Sequence, residues 1–228
     1  MANYDYLGAD DVELKTNPAA RIPVAIAVDI SGSMVGLIDE VNRGIAELFE
    51  ALRNDPATRD AVELAIIEFN SSARVARDFA LIHNAEAPVL GPASGGTNLG
   101  EAVNMALDML EARKKDYRAN VVDYYQPHLI VFSDGEPNYP YEEARDRVKA
   151  MCANRKLTFL PIVLGEAGAA AEEAAGVLRE FSANAPIRAK DIVGFFQWYS
   201  KSLSDVGKSN PGDKVKMDRD GISGWGEW

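Results

Sequence analysis

Residues 22–30 form an almost unbroken apolar run, rich in β-branched side chains, with Asp29 as its one charge. A run of that length and composition predicts a strand covered on both faces. Directly after it, Met34, Leu37, Ile38, Val41, Ile45, Leu48, Phe49 and Leu52 recur at intervals of three and four. That spacing predicts one amphipathic helix, ended at Asn54-Asp55-Pro56. Residues 62–69 read as a second strand and 74–82 as a third, whose Arg74, Arg77 and Asp78 suit a sheet edge. Only Asn70-Ser71-Ser72 separates the two, too short for a crossover helix, so they form an antiparallel hairpin. Residues 83–97, rich in Pro, Gly and Ala, read as loop. Helical stripes then run through Ala102, Val103, Ala106, Met109 and Leu110, through Ala144, Val148 and Met151, through Ala174, Val177, Leu178 and Phe181, and through Ile192, Phe195, Phe196, Tyr199 and Leu203. Short buried strands at 129–132 and 158–164 lie between them.

Strands alternating with helices predict an α/β fold: a Rossmann-like, doubly wound, mostly parallel sheet with one antiparallel edge strand and helices on both faces. No internal repeat or domain break is visible. The chain divides into an N-terminal extension over 1–21, one domain over 22–206, and a polar, glycine-rich tail over 207–228 whose Trp225 and Trp228 are the groups able to dock on the body.

Composition narrows the function. The 228 residues are 47% hydrophobic and 26% charged, the profile of a folded globular chain. A net charge of -11 argues against nucleic acid or an anionic membrane surface as partner. No apolar run approaches the roughly 18 residues of a membrane span, and no secretory signal precedes the first strand. One cysteine, Cys152, excludes a disulfide framework and a Cys-rich zinc site. Together these predict a cytoplasmic protein.

Three separated segments share one chemistry. Asp29-Ile30-Ser31-Gly32-Ser33 lies at the end of the first strand, and residues two apart in an extended stretch point to the same side. Gly95-Gly96-Thr97-Asn98 leads into a helix, and Ser133-Asp134-Gly135 follows another buried strand. Taken singly, each also reads as a cap or a turn. Together, Asp29, Ser31, Ser33, Thr97 and Asp134 gather two carboxylates and three hydroxyls at the sheet edge where open α/β folds bind ligands. A set of oxygens with no imidazole or thiolate selects Mg²⁺ or Mn²⁺ over zinc.

Other chemistries find less support. Gly207-Lys208-Ser209 lacks the earlier glycine of a phosphate-binding loop, since Ser202 stands there. No G-x-S-x-G elbow supports a serine hydrolase, which leaves His83 and His128 as packing or surface residues.

The three segments, in this order and at these intervals, resemble the metal-ion-dependent adhesion site of von Willebrand factor A (VWA) domains. The resemblance implies that Ser31, Ser33 and Thr97 touch the metal directly, and that Asp29 and Asp134 do so directly or through water. It implies a non-enzymatic module that binds a protein partner through an Asp or Glu carboxylate at the metal. The rest of the chain is similar to a narrower group, the bacterial tellurite-resistance-associated TerY-like proteins. The stretches that carry this are Asn17-Pro18 to Pro23, Tyr124-Tyr125-Gln126-Pro127, Phe195-Phe196-Gln197-Trp198-Tyr199-Ser200-Lys201-Ser202-Leu203-Ser204, Ser209-Asn210-Pro211-Gly212 and Gly224-Trp225. Gln126-Pro127-His128 departs from the Arg-Pro-aromatic triplet of that group. This second resemblance implies a stress-response role and partners among other tellurite-resistance proteins, a kinase or a phosphatase. Two alternatives stand beside it: a regulatory subunit of a chelatase-type ATPase, and a metal-assisted phosphohydrolase.

Overall fold

The computed structural model describes residues 14, 16–165, 168–182, 185–213, 221 and 226–227. The 22–30 run forms β1 (Ile22–Asp29), with all eight residues buried. A 3-10 turn at Gly32–Gly36 leads into α1 (Ile38–Asn54), and the four-residue α2 (Pro56–Arg59) follows. Then come β2 (Val62–Phe69), β3 (Ala73–Leu81), α3 (Leu99–Ala119), β4 (His128–Ser133) and α4 (Glu142–Ala153). The chain continues with β5 (Thr158–Val163), α5 (Ala169–Arg179), β6 (Ile187–Ala189), α6 (Ile192–Gly207) and β7 (Gly226–Glu227).

One sheet takes all seven strands in the order β3-β2-β1-β4-β5-β6-β7. β1 runs parallel to both β2 and β4, and β5 and β6 continue in the same sense. β3 is the expected antiparallel edge. A second antiparallel strand closes the opposite edge, where Ala189 pairs with Gly226 and Arg188 with Glu227. Part of the tail is therefore built into the sheet, while Trp225 and Trp228 lie outside the described residues, as does most of the N-terminal extension. Among the described residues, no helix is long and apolar enough to cross a membrane.

Alternation along β1 divides the core. Val24, Ile26 and Val28 face a cluster that contains Val41, Ile45 and Leu48 of α1 and Phe195, Phe196 and Tyr199 of α6. Ala25 and Ala27 face the other cluster, with Val103, Ala106 and Leu110 of α3 and Ala174 and Leu178 of α5. The small residues of β1 lie on the α3 side, so that helix can approach the sheet closely.

α1 and α6 approach closely through Gly44. A Cβ there would lie 2.5 Å from Cδ2 of the buried Phe196 and 3.4 Å from Ile192 Cγ2. Overpacking costs about 1 to 3 kcal/mol, against about 1 kcal/mol gained in helix propensity. Gly44→Ala is therefore expected to lower the melting temperature by up to about 8 °C. A thermal melt checks this, and a rise would show that Phe196 has room to move.

The single helix expected from Met34 to Leu52 is instead broken. Gly36 ends the 3-10 turn, and Leu37, at φ -115°, is the N-cap of α1. Met34 is still fully buried. The periodicity continues through the break because the turn buries the same face as the helix. β6, three residues long, was not visible in the hydrophobic pattern at all.

Candidate metal centre

Strand order reverses between the parallel neighbours β1 and β4, because the chain leaving β1 continues to β2 on one side and the chain leaving β4 continues to β5 on the other. Their carboxyl ends therefore flank a crevice that neither crossover helix covers. Asp29 closes β1 and is 0% exposed. Its Oδ1 accepts from the Ser31 backbone N–H at 2.8 Å, and its Oδ2 accepts from the Ser133 hydroxyl at 2.8 Å. Ser31 Oγ lies 3.1 Å from Ser33 Oγ, which donates to Asp134 Oδ1 at 2.7 Å. A continuous chain of hydrogen bonds thus joins Ser133, Asp29, Ser31, Ser33 and Asp134 across the first and third segments.

The second segment is fixed to both. Gly32 N–H donates to Gly95 O at 3.1 Å, and Ser94 N–H donates to Ile30 O at 2.8 Å. On its other side, Thr97 N–H donates to Asn138 Oδ1 at 3.0 Å, and Asn138 N–H returns a bond to Thr97 O at 3.0 Å. The β2–β3 turn adds Ser71 Oγ, which accepts from Gly96 N–H at 3.0 Å. Gly95 takes φ +78°, and a Cβ there would meet Ser71 Oγ at 2.9 Å, so this approach requires glycine.

Capping does not explain the serines. Ser31 precedes the 3-10 turn without a side-chain cap bond, and Leu37, the N-cap of α1, makes none. At α3 the cap is Asn98, whose side chain accepts from Glu101 N–H at 3.3 Å. Thr97 is 5% exposed, and its hydroxyl has no hydrogen-bond partner among the described residues.

Among the described residues, no Lys, Arg or His pairs with Asp29 or Asp134, so nothing described there offsets their charge. Burial pushes the Asp29 carboxyl up to about 6; the bonds from Ser31 and Ser133 pull it down, and Asp134 adds a push upward. Burial also raises Asp134, against the bond from Ser33. Two buried carboxylates and an unengaged hydroxyl fit a hard divalent cation, which would offset the desolvation. Among the described residues no three His, Cys, Asp or Glu side chains gather to suit a softer metal.

Three residues here were not assigned a part from sequence: Ser133, which holds Asp29, and Asn138 and Ser71, which hold the Thr97 loop. Ser133 stood within the quoted motif, so its place beside Asp134 was a usable signal. Asn138 is exposed, but its amide oxygen still clamps Thr97. His128 proves to be buried, with its Nδ1 2.8 Å from the Tyr199 hydroxyl. His83 lies beside Asp60 and the Arg59 carbonyl. Neither histidine approaches the crevice.

The fold recurs among solved structures. The pilus adhesin SpaC from Lactobacillus rhamnosus GG superposes over 84% of this chain and 31% of its own, with a TM-score of 0.64 and 12% identity. A von Willebrand factor type A protein from Catenulispora acidiphila covers 82% of this chain and 43% of its own, at TM-score 0.58 and 16% identity. BatB from Bacteroides thetaiotaomicron covers 82% of this chain and 100% of its own, at TM-score 0.54 and 16% identity. This chain thus spans about a third of the adhesin, and at these identities the likeness is one of fold. No curated protein matches the sequence. The model of the von Willebrand factor type A domain matches residues 24–174, about two thirds of the chain. The protein therefore belongs to the von Willebrand factor type A domain family, whose members are metal-dependent protein-interaction modules.

Proposed function

We propose that this protein is a non-enzymatic binding module whose divalent metal, Mg²⁺ or Mn²⁺, is held by Asp29, Ser31, Ser33, Thr97 and Asp134. The observation that carries the proposal is the pair of buried carboxylates, joined through Ser31 and Ser33, with no cationic side chain beside them among the described residues. When bound, the ion supplies a Lewis-acidic attachment point for an Asp or Glu carboxylate of the partner. Asp29 and Asp134 bring two negative charges, matching a divalent ion. Ser31 N–H and the Ser133 hydroxyl fix the Asp29 carboxylate, so it needs no reorganisation on loading. Asn138 and Ser71 hold the Thr97 loop over the crevice. Among the described residues no histidine lies at the site, which favours binding over hydrolysis.

The domain is proposed to extend beyond the matched residues, over 22–206. α6 supplies Phe195, Phe196 and Tyr199 to the same core cluster as β1, and the sheet would lose one cover without it. We place the protein with the TerY-like group, in the cytoplasm, on the stretches quoted above. The implied partners are other tellurite-resistance proteins, a kinase or a phosphatase.

The test is affinity capture with wild type and Thr97→Ala, in Mg²⁺ and in EDTA. Thr97 sits in a loop secured by backbone bonds, so its hydroxyl can be removed with little effect on folding. Partners are expected on wild type in Mg²⁺ alone. Equal retention in EDTA and by Thr97→Ala would contradict a metal-bridged contact.

A further inference from the structure

A second concave site lies at the opposite pole. β1, β4 and β5 run parallel, so their amino ends meet at the edge away from Asp29 and Asp134. The six residues of β4 separate His128 from Ser133 by roughly 17 Å at the strand rise. At this lower edge the C-terminal half of α3, the entry to β4, the α4–β5 turn and the end of α6 enclose a cavity of about 660 Å³. That volume falls within the range of small-molecule sites.

Its charge runs against that of the protein. Among the described residues Lys114, Arg118, Arg155 and Lys156 line it, with Glu111 and Asp213 as the acids, in a chain of net charge -11. Glu111 is engaged by Lys114, and Asp213 accepts from the Asn210 backbone N–H at 2.9 Å. Arg118, Arg155 and Lys156 are exposed and form no ion pair among the described residues. The described lining thus carries four cationic side chains against two carboxylates.

Two further observations point to a ligand. Lys114 and His128 are 6% and 5% exposed, yet both line the cavity. The Tyr199 hydroxyl occupies His128 Nδ1, and Nε2 has no partner among the described residues. Arg155 follows the end of α4 with φ +53°, a left-handed position that glycine or asparagine fills more readily. Here the strained position carries a cationic side chain at the cavity. Tyr124 adds an aromatic wall, tilted against Tyr117 at 5.3 Å.

From this we infer that the lower cavity binds a small phosphorylated molecule bearing two or more negative charges, through Lys114, Arg118, Arg155 and Lys156. Arginine forks and lysine point charges both suit phosphate oxygens. This site is independent of the metal edge.

Calorimetric titration with inorganic pyrophosphate and with ATP, both in EDTA, tests it, because chelation removes any contribution from a metal at Asp29. Wild type is expected to bind with a Kd below about 1 mM, weakening as salt screens the cations. Arg118→Glu/Lys156→Glu changes two exposed residues, so its melting temperature is expected to stay at the wild-type value while affinity falls at least tenfold. Tighter binding of ATP than pyrophosphate identifies a nucleotide, and equal binding an oligophosphate in general; either supports the site. Absence of binding by both probes up to about 5 mM, or unchanged affinity in the folded double variant, would overturn it.

Discussion

Asp29→Asn is expected to melt higher than the wild type in EDTA at pH 7 and to lose the response to Mg²⁺. The Asp29 carboxyl is fully buried, and burial raises it from 3.8 to about 6. At pH 7 the folded protein without metal must hold a desolvated negative charge there, which costs about 3 kcal/mol. Because the folded value lies above the unfolded one, this group's stabilising contribution is complete below pH 3.8 and is lost as pH rises through about 6. Asparagine removes the charge and keeps the shape. Its amide oxygen can still accept from Ser31 N–H, and its NH₂ can donate to the Ser133 hydroxyl. Relief of the full cost raises the melting temperature by about 6 to 12 °C for a chain of this size. The advantage is expected to vanish below about pH 4, where both states of the carboxyl are protonated. Mg²⁺ at ten times Kd stabilises wild type by about 1.4 kcal/mol, or 3 to 6 °C, and leaves the variant unmoved. A variant that melts lower in EDTA would make Asp29 chiefly a structural acceptor, and equal Mg²⁺ shifts would remove it from the ligand set.

The second large effect is expected at Glu63, on the same sheet but far from the crevice. Glu63 is 1% exposed and sits between Arg21 Nε at 3.2 Å and Arg113 Nε at 2.6 Å. The Tyr117 hydroxyl also donates to it at 2.6 Å. Burial and the Glu63 charge push the Tyr117 hydroxyl well up, so it remains a donor. Arg21 is fully buried, so Glu63→Ala leaves a buried guanidinium without its carboxylate. Breaking a buried pair from one side costs about 3 to 5 kcal/mol, a fall of about 6 to 20 °C. The loss is expected to be the same with and without Mg²⁺, since the network does not reach the metal edge. Urea midpoints measured in both conditions check this; a cost under 1 kcal/mol would mean that water enters the gap and resolvates Arg21.

Why the crevice could be read from sequence while Glu63 could not follows from the physics of each. In a parallel sheet the functional side chains leave the carboxyl ends of strands, so apolar runs such as 22–30 locate them directly. Asp29, Ser31, Ser33 and Asp134 were therefore legible, and the structure joins them by hydrogen bonds. Thr97 was legible only by combination with the others. Its position depends on Asn138 and Ser71, which are 41 and 25 residues from the atoms they hold. Glu63 and Glu68 interrupt a strand buried on both faces, and that break in pattern was the signal that each needs a cationic partner. Arg74 pairs with Glu68, and Arg21 and Arg113 with Glu63. Which arginine meets which glutamate depends on the strand order, and no local pattern carries it. β6 and β7 are too short to show a hydrophobic run: β6 buries only Ile187 and Ala189, and pairing with β5 and with each other defines the two strands.

The most direct measurement is anomalous diffraction from crystals grown with Mn²⁺. A single strong peak is expected in the crevice between β1 and β4, within bonding distance of Ser31, Ser33 and Thr97 oxygens and beside Asp134. A fully occupied manganese elsewhere on the surface, with that crevice holding only water, would contradict it.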